Sequence, residues 1–75
     1  MSVEEILRRY RIDNNLTQKK MAKLLGVSQV AYHKWESNYT KIPLGRYLII
    51  SMVCDVKLQD ILPEKWQKKI SADQK

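Results

Sequence analysis

The sequence lacks the residues that build cross-linked, metal-bound or membrane-spanning proteins. It contains one cysteine, Cys54, so no disulfide can form within the chain, and it has no Cys/His cluster with metal-ligand spacing. We therefore expect no metal and no cofactor. The longest apolar run, residues 47–50, is far too short to span a bilayer, and residues 1–5 lack the apolar segment of a signal peptide. These absences predict a soluble protein of a reducing compartment, the cytoplasm.

Glycines and acidic residues are also scarce. Two glycines cannot form a phosphate-cradling loop, and no Ser/His/Asp set or carboxylate pair is evident, so an enzyme is the weakest hypothesis. Residues 16–46 contain six Lys and Arg against Glu36 alone, which places +5 of the net charge of +6 in this stretch. Such an excess favours a polyanionic partner, either nucleic acid or an anionic membrane. A charged surface that only keeps the protein soluble would have the same composition.

Apolar residues recur at helical spacing along most of the chain. The pattern predicts five helices, over residues 3–13, between Thr17 and Gly26, over 28–36, over 43–53 with Pro43 in its first turn, and around 58–62. Ser2, Thr17 and Ser28 are predicted N-caps. Residues 1–63 then form one domain, and the polar tail 64–75 is expected to fray. Residues 48–53 are also compatible with a strand, but nothing obvious pairs with them.

The second and third predicted helices are joined by a short turn, which is the arrangement of a helix-turn-helix. Ala22 is small enough for a close helix crossing, Gly26 forms the turn, and Val27 follows it. Tyr32 and Trp35 are predicted core anchors of the third helix rather than base-stacking residues. The inward face of the second helix is predicted to be Met21, Ala22, Leu24 and Leu25.

This central stretch resembles the Cro/cI-type (XRE-like) helix-turn-helix domains of phage repressors and bacterial regulators. The matching residues are Leu16-Thr17-Gln18, Ala22, Gly26-Val27-Ser28-Gln29 and Trp35-Glu36, and a looser likeness extends from Ile6 to Leu62. The resemblance implies an all-α fold, a compact five-helix lambda-repressor-like DNA-binding domain with the helix-turn-helix at helices 2 and 3. Two loops depart from the family pattern. Asn38 replaces a usual glycine, and Cys54-Asp55-Val56-Lys57 replaces Gly or Asn followed by Val-Ser.

The resemblance also implies roles for individual residues. Base edges are expected to be read by Gln29, Val30, His33 and Lys34. Phosphates are expected to be contacted by Thr17, Gln18, Lys19, Ser28, Asn38, Lys41 and Arg46. Gln18 is expected to brace Gln29, whose amide can pair bidentately with adenine. Arg11 and Glu36 are expected to form an ion pair between the first helix and the end of the third.

Several of these roles have alternatives that the sequence leaves open. Lys34 fits guanine or a phosphate, and His33 fits a base, a phosphate or a solvated surface. Val30 fits a thymine methyl group or incidental exposure. The lysines of the second helix, including Lys19, also fit a solvated face, and Cys54 is expected to be an inert filler.

The favoured function is sequence-specific binding to double-stranded DNA for transcriptional regulation, and repression is the expected direction of that regulation. The expected partners are an inverted-repeat operator and a second copy of the chain, with no membrane partner, and a protein antagonist is a further candidate. The candidate dimer contacts are Tyr47, Ile49, Trp66 and Ile70, although Trp66 also fits a cap over the core or a mobile tail residue. A protein-interaction module on the same scaffold, such as an antitoxin or anti-repressor partner, is the alternative.

Overall fold

The computed structural model describes residues 2–67 and confirms the all-α fold. The α-helices of the domain are α1 (Val3–Asp13), α2 (Gln18–Leu25), α3 (Gln29–Glu36), α4 (Tyr47–Cys54) and α5 (Leu58–Ile61). A 3-10 turn, Leu44–Arg46, precedes α4. Helix α1 packs on α3 and α4, α2 packs on α3 and α4, and α5 packs on α4. Helices α2 and α3 therefore form the predicted helix-turn-helix, supported from behind by α1 and α4.

The first three helices begin at the predicted caps. The hydroxyl oxygens of Ser2, Thr17 and Ser28 each accept the backbone N–H of the residue three positions later, over 3.3, 3.0 and 3.1 Å. Such a bond satisfies one of the amides that the first turn of a helix leaves without a partner. These contacts confirm the three N-caps that the sequence indicates.

Four helices end in the same way, on a residue with left-handed backbone conformation. These residues are Asn15, Gly26, Asn38 and Asp55, with φ between 54° and 71°. In each case the next backbone N–H donates to the carbonyl five residues earlier, over 2.8 to 3.1 Å. Asn and Asp tolerate this conformation better than other side chains. The two loops that depart from the family pattern, at Asn38 and Asp55, therefore keep the backbone form that glycine usually supplies.

Two predictions that were based on the spacing of apolar residues are wrong. Helix α4 was expected to begin at Pro43, but Pro43 is extended, with ψ of 139°, and the α-helix begins at Tyr47. The extended segment carries the side chain of Ile42 into the core before the chain can turn. Leu24 was expected to face inward, but it is exposed. Met21, Ala22 and Leu25 already fill the one face that an eight-residue helix turns to its neighbours.

The core lies where α1 to α4 meet. Its largest fully buried side chains are Leu7, Met21, Leu25, Tyr32 and Ile50. Trp35 is also buried, which confirms that both aromatic residues of α3 are core anchors. Cys54 is buried, and burial raises the pKa of its thiol to about 11, so the group remains protonated and unreactive.

The beginning of the tail does not fray as expected. Residues 64–67 are helical, and the side-chain amide of Gln67 donates to the carbonyl oxygen of Leu62 over 2.6 Å. The backbone N–H of Trp66 donates to Pro63 over 2.9 Å. A proline that ends one helix is well suited to begin the next turn, which explains the correction. The remaining tail, including the candidate contact Ile70, lies outside the described residues.

The left-handed conformation of Gly26, in the turn between α2 and α3, can be tested by substitution. Gly26→Ala should destabilise the fold by about 1 kcal/mol, because an added Cβ disfavours the left-handed conformation. The surroundings have room for the methyl group, since a Cβ added at Gly26 would have no neighbouring atom within 4 Å. Urea denaturation measures the change.

Gly45→Ala is the matched control. Gly45 has equal room and no positive φ, so its substitution should be neutral or mildly stabilising through the unfolded state. Equal losses in both variants would contradict the role of backbone conformation at Gly26.

Candidate nucleic-acid interface

Helix α3 divides cleanly into a buried side and an exposed side. Its buried residues are Tyr32, Trp35 and Glu36. The sequence-predicted base readers all lie on the exposed side: Gln29, Val30, His33 and Lys34. Val30 is 65% exposed, so this side of the helix includes an apolar surface. Two turns of helix thus present one amide, one imidazole, one ammonium group and one apolar side chain to solvent.

The residues predicted to contact phosphate fall into two groups. The first group surrounds the N-termini of α2 and α3 and consists of Thr17, Gln18, Lys19 and Ser28. The second group lies in the loop after α3 and in the 3-10 turn, and consists of Asn38, Lys41 and Arg46. All are exposed except Gln18, which is partly buried. Within residues 2–67 none of these cations forms an ion pair, so their charges are available to an anionic partner.

The two N-cap hydroxyls suit a phosphate as well as a helix. The oxygens of Thr17 and Ser28 accept backbone N–H groups, so each hydroxyl hydrogen remains available to donate. The amides of the first helical turn also point outward, and the helix dipole favours an anion at this end. The ends of α2 and α3 therefore present hydrogen-bond donors together with Lys19.

A buried carboxylate holds this arrangement together. Glu36, which is 4% exposed, accepts hydrogen bonds from Arg11 over 2.6 and 3.1 Å, so the ion pair that the resemblance implied is present in the structure. Its carboxylate also accepts from the hydroxyl of Tyr32 and from the amide of Gln18, the latter over 3.3 Å. The backbone carbonyl of Glu36 accepts from Arg8 over 2.6 Å. One residue at the end of α3 thus ties α1, α2 and α3 together.

The hydrogen bonds decide the charge of this carboxylate. Burial alone raises the pKa of Glu36, but the hydrogen bonds from Arg11, Tyr32 and Gln18 outweigh it, and the pKa lies below its ordinary value of 4.5. The pKa of Arg11 is raised, chiefly by its hydrogen bond to Glu36. Burial and the adjacent carboxylate raise the pKa of Tyr32 as well. At neutral pH the cluster therefore holds a carboxylate, a guanidinium and a protonated phenol.

Gln18 has different partners from those that the resemblance implied. It was expected to brace Gln29, but its side chain bridges Glu36 and His33, with 3.2 Å between its carbonyl oxygen and the Nδ1 of His33. In the described part of the chain the side chain of Gln29 has no hydrogen-bond partner. His33, one turn after Gln29 on α3, is the residue of the third helix that Gln18 contacts instead.

Sequence reasoning missed three features of this region. Arg8 and the hydroxyl of Tyr32 belong to the Glu36 cluster, and Tyr39, which is 82% exposed, lies in the loop after α3. The signals were present, because Arg8 lies three residues before Arg11 on α1 and Tyr32 lies four residues before Glu36 on α3. Residues at these spacings share one helix face.

The Glu36 cluster leads to a prediction about acid stability. A pKa that is lower in the folded state stabilises the protein above the unfolded pKa, and the stabilisation is lost as the pH falls through the folded pKa. Glu36→Gln should therefore cost on the order of 2–3 kcal/mol at pH 7, because Arg11 loses its ion-pair partner, and the difference should shrink below pH 4.5. Urea titrations between pH 3 and 7 measure both effects.

Glu5→Gln is the matched control, since Glu5 is an exposed carboxylate on α1. It should change the stability by no more than about 0.5 kcal/mol at any pH. A difference between Glu36→Gln and the wild type that stays constant from pH 7 to pH 3 would contradict the ionised state assigned to Glu36.

Two other kinds of site are not found among the described residues. Residues 2–67 contain no group of three His, Cys, Asp or Glu side chains that could hold a metal ion. No helix within them is long and apolar enough to cross a membrane.

Comparison with known proteins agrees with this geometry. A family model described as helix-turn-helix matches residues 7–61, from the middle of α1 to the end of α5. No curated protein and no solved structure matches the chain. The match covers most of the chain and includes both helices of the motif and the Glu36 cluster. The protein belongs to the Cro/cI-type, XRE-like helix-turn-helix family of DNA-binding transcription regulators.

Proposed function

We propose that the protein represses transcription by binding an inverted-repeat operator as a homodimer, with α3 of each copy in the major groove. The observation that carries this proposal is the single exposed face of α3, which combines Gln29, Val30, His33 and Lys34 on a helix whose other side is locked into the core. A helix fits the major groove of B-DNA, where the four base pairs present distinct patterns. A protein bound across a promoter excludes other proteins, so repression needs no further contact.

Three of the exposed residues match base edges by their chemistry. The amide of Gln29 has a donor and an acceptor that pair with N6 and N7 of adenine. Val30 provides an apolar surface for the methyl group of thymine, and Lys34 donates to O6 or N7 of guanine. Because Gln29 lies at the first position of α3, its side chain reaches the groove at the helix end that enters it.

The phosphate contacts surround this face and position it. Thr17, Ser28 and the amides beside them bind one stretch of backbone, while Lys41 and Arg46 in the following loop bind another. Gln18 is partly buried and spans two protein groups, so its contribution to phosphate binding is secondary. The exposed hydroxyl of Tyr39 is an additional donor beside Asn38.

The 3-10 turn and helix α4 together provide the proposed dimer face, which consists of Leu44, Leu48 and Met52. These residues lie four positions apart and are 47%, 59% and 73% exposed. They replace Tyr47 as a candidate contact, because Tyr47 is buried. Helix α4 has no charged residue, so the part of the face that Leu48 and Met52 form sets no like charges against each other in two copies of a chain with a net charge of +6. Leu44 lies between Lys41 and Arg46, which places this face at the edge of the proposed DNA surface.

The size of the dimer face indicates where the dimer forms. Three side chains fall well short of the roughly 800 Å² per partner that a stable interface buries. We therefore propose a dimer that assembles on the operator, where two neighbouring half-sites about 10 base pairs apart bring the copies together. Binding of an unrelated protein to the same face is the alternative, and it corresponds to the antitoxin or anti-repressor hypothesis.

Two substitutions test base reading and phosphate binding independently. Gln29→Ala should cost roughly 1–3 kcal/mol on a site selected from random duplexes and little on random DNA. Lys41→Ala should weaken binding to all sequences and flatten the dependence of log affinity on log salt by about one unit. Titrations by fluorescence anisotropy across salt concentrations measure both.

Other results of these titrations would count against the assignments. Equal losses on selected and random DNA would remove Gln29 from the base readers, and an unchanged salt slope would remove Lys41 from the phosphate contacts. If selection enriches no sequence at all, the proposal of a sequence-specific regulator is wrong.

The dimer face is tested by cooperativity on DNA. Leu48→Asp should leave the affinity for a single half-site unchanged and reduce the cooperativity on a two-half-site operator about tenfold, because two carboxylates then face each other. Because Leu48 is exposed, the variant should fold, and circular dichroism checks this.

Ile12→Asp is the control, since Ile12 is an equally exposed apolar residue (57%) on α1. It should keep the cooperativity of the wild type. Cooperativity that survives Leu48→Asp, or that Ile12→Asp abolishes instead, would contradict the assignment of the dimer face to α4.

A further inference from the structure

A chain of hydrogen bonds links the buried carboxylate cluster to the exposed face of α3. It begins at Arg11, passes through Glu36 and Gln18, and ends at His33. Each step joins a different helix: α1 to α3, α3 to α2, and α2 back to α3. The direction of every bond in this chain follows from the chemistry of its members.

The first two members leave no freedom of direction. A guanidinium only donates, and it does not lose its proton in proteins. The carboxylate of Glu36 is ionised, because its pKa lies below the ordinary value, so it only accepts. Whatever faces Glu36 must therefore be a donor.

The orientation of the Gln18 amide follows from this constraint. Its nitrogen lies 3.3 Å from the Glu36 carboxylate, and the opposite orientation would set a carbonyl oxygen against a carboxylate oxygen. The carbonyl oxygen of Gln18 must then face His33, where it lies 3.2 Å from Nδ1. A carbonyl oxygen only accepts, so Nδ1 of His33 must hold a proton.

We infer that this chain fixes His33 in its Nδ1–H tautomer, so that the unprotonated Nε2 accepts a hydrogen bond from the exocyclic amino group of adenine or cytosine in the major groove. The inference deepens the proposed function and rests on α3 lying in the groove. A neutral imidazole with its proton on Nδ1 has an acceptor at Nε2. His33 is exposed and lies one turn after Gln29 on the same helix face.

The acceptor at Nε2 determines which bases fit. In the major groove the only base donors are N6 of adenine and N4 of cytosine, whereas guanine and thymine present acceptors at the corresponding positions. Phosphate oxygens are acceptors as well. With its Nδ1 proton donated to Gln18, His33 therefore favours an amino-bearing base over a phosphate among the alternatives that the sequence left open for this residue.

The tautomer can be measured in the free full-length chain. His33 is the only histidine in the sequence, so long-range ¹H–¹⁵N correlation spectra at a pH where the ring is neutral report on it alone. The wild type should show the Nδ1–H form. Gln18→Leu removes the acceptor and should shift the population toward the Nε2–H form. Gln29→Leu is the control, because Gln29 lies one turn before His33 on α3 but has no hydrogen bond to it, and this variant should keep the Nδ1–H form. An Nε2–H ring in the wild type would overturn the inference.

The base preference is measured on DNA. Selection from random duplexes with the wild type and with His33→Ala identifies the position whose preference depends on His33, which should be adenine or cytosine. Replacing adenine there by purine, or cytosine by pyrimidin-2-one, removes only the amino group. The wild type should lose about 5- to 150-fold in affinity, because Nε2 is left without its partner, and His33→Ala should lose nothing further.

Two outcomes on DNA would overturn the base assignment. One is a preference for guanine or thymine at the position that depends on His33. The other is proton uptake on binding, seen by calorimetry in buffers of different ionisation enthalpy, which would mean that a protonated Nε2 donates to a base or phosphate. If no sequence is enriched, the proposed function itself fails, whereas an Nε2–H tautomer with normal sequence selection overturns this inference alone.

Discussion

The buried carboxylate of Glu36 is the constraint on which the rest of the structure depends. A charge out of water is costly unless it is fully hydrogen-bonded, and the donors that satisfy Glu36 come from three helices. Arg11 on α1, Gln18 on α2 and Tyr32 on α3 must converge on one point for the fold to be stable. Apolar packing alone tolerates small shifts of one helix against another, but this cluster does not. The angle at which α3 is presented is therefore set by hydrogen-bond geometry as well as by the core.

The same residue changes how the charge of the chain is interpreted. By sequence, residues 16–46 hold six positive charges and one negative charge. The negative charge is Glu36, which faces inward and is neutralised by Arg11 from outside this stretch. The outer surface of the helix-turn-helix and its following loop is thus more positive than the count implies. A polyanion that approaches α3 meets hydrogen-bond donors and cations with no opposing carboxylate from residues 16–46.

Much of the fold could be predicted because its signals are local. Ser2, Thr17 and Ser28 begin helices through bonds to residues three positions away, and Gly26 ends a helix through its own backbone conformation. The errors arose where neighbours in space decide the outcome. Leu24 and the beginning of α4 were misjudged because periodicity counts apolar residues but does not reveal how much surface the neighbouring helices cover. The candidate site was predicted as a set of exposed positions on α3, but the partners of Gln18 depend on a histidine fifteen residues away.

The sequence by itself determined the five helices, the caps, the turn at Gly26 and the concentration of positive charge, because each depends on residues within one or two turns of one another. Membership of the helix-turn-helix family follows from the same local pattern. Only the tertiary structure decided which apolar residues of α4 remain exposed, and that Gln18 joins Glu36 to His33 rather than to Gln29. These features depend on the relative placement of helices that are distant in sequence. That placement is fixed by the joint requirement to fill the core and to satisfy one buried charge.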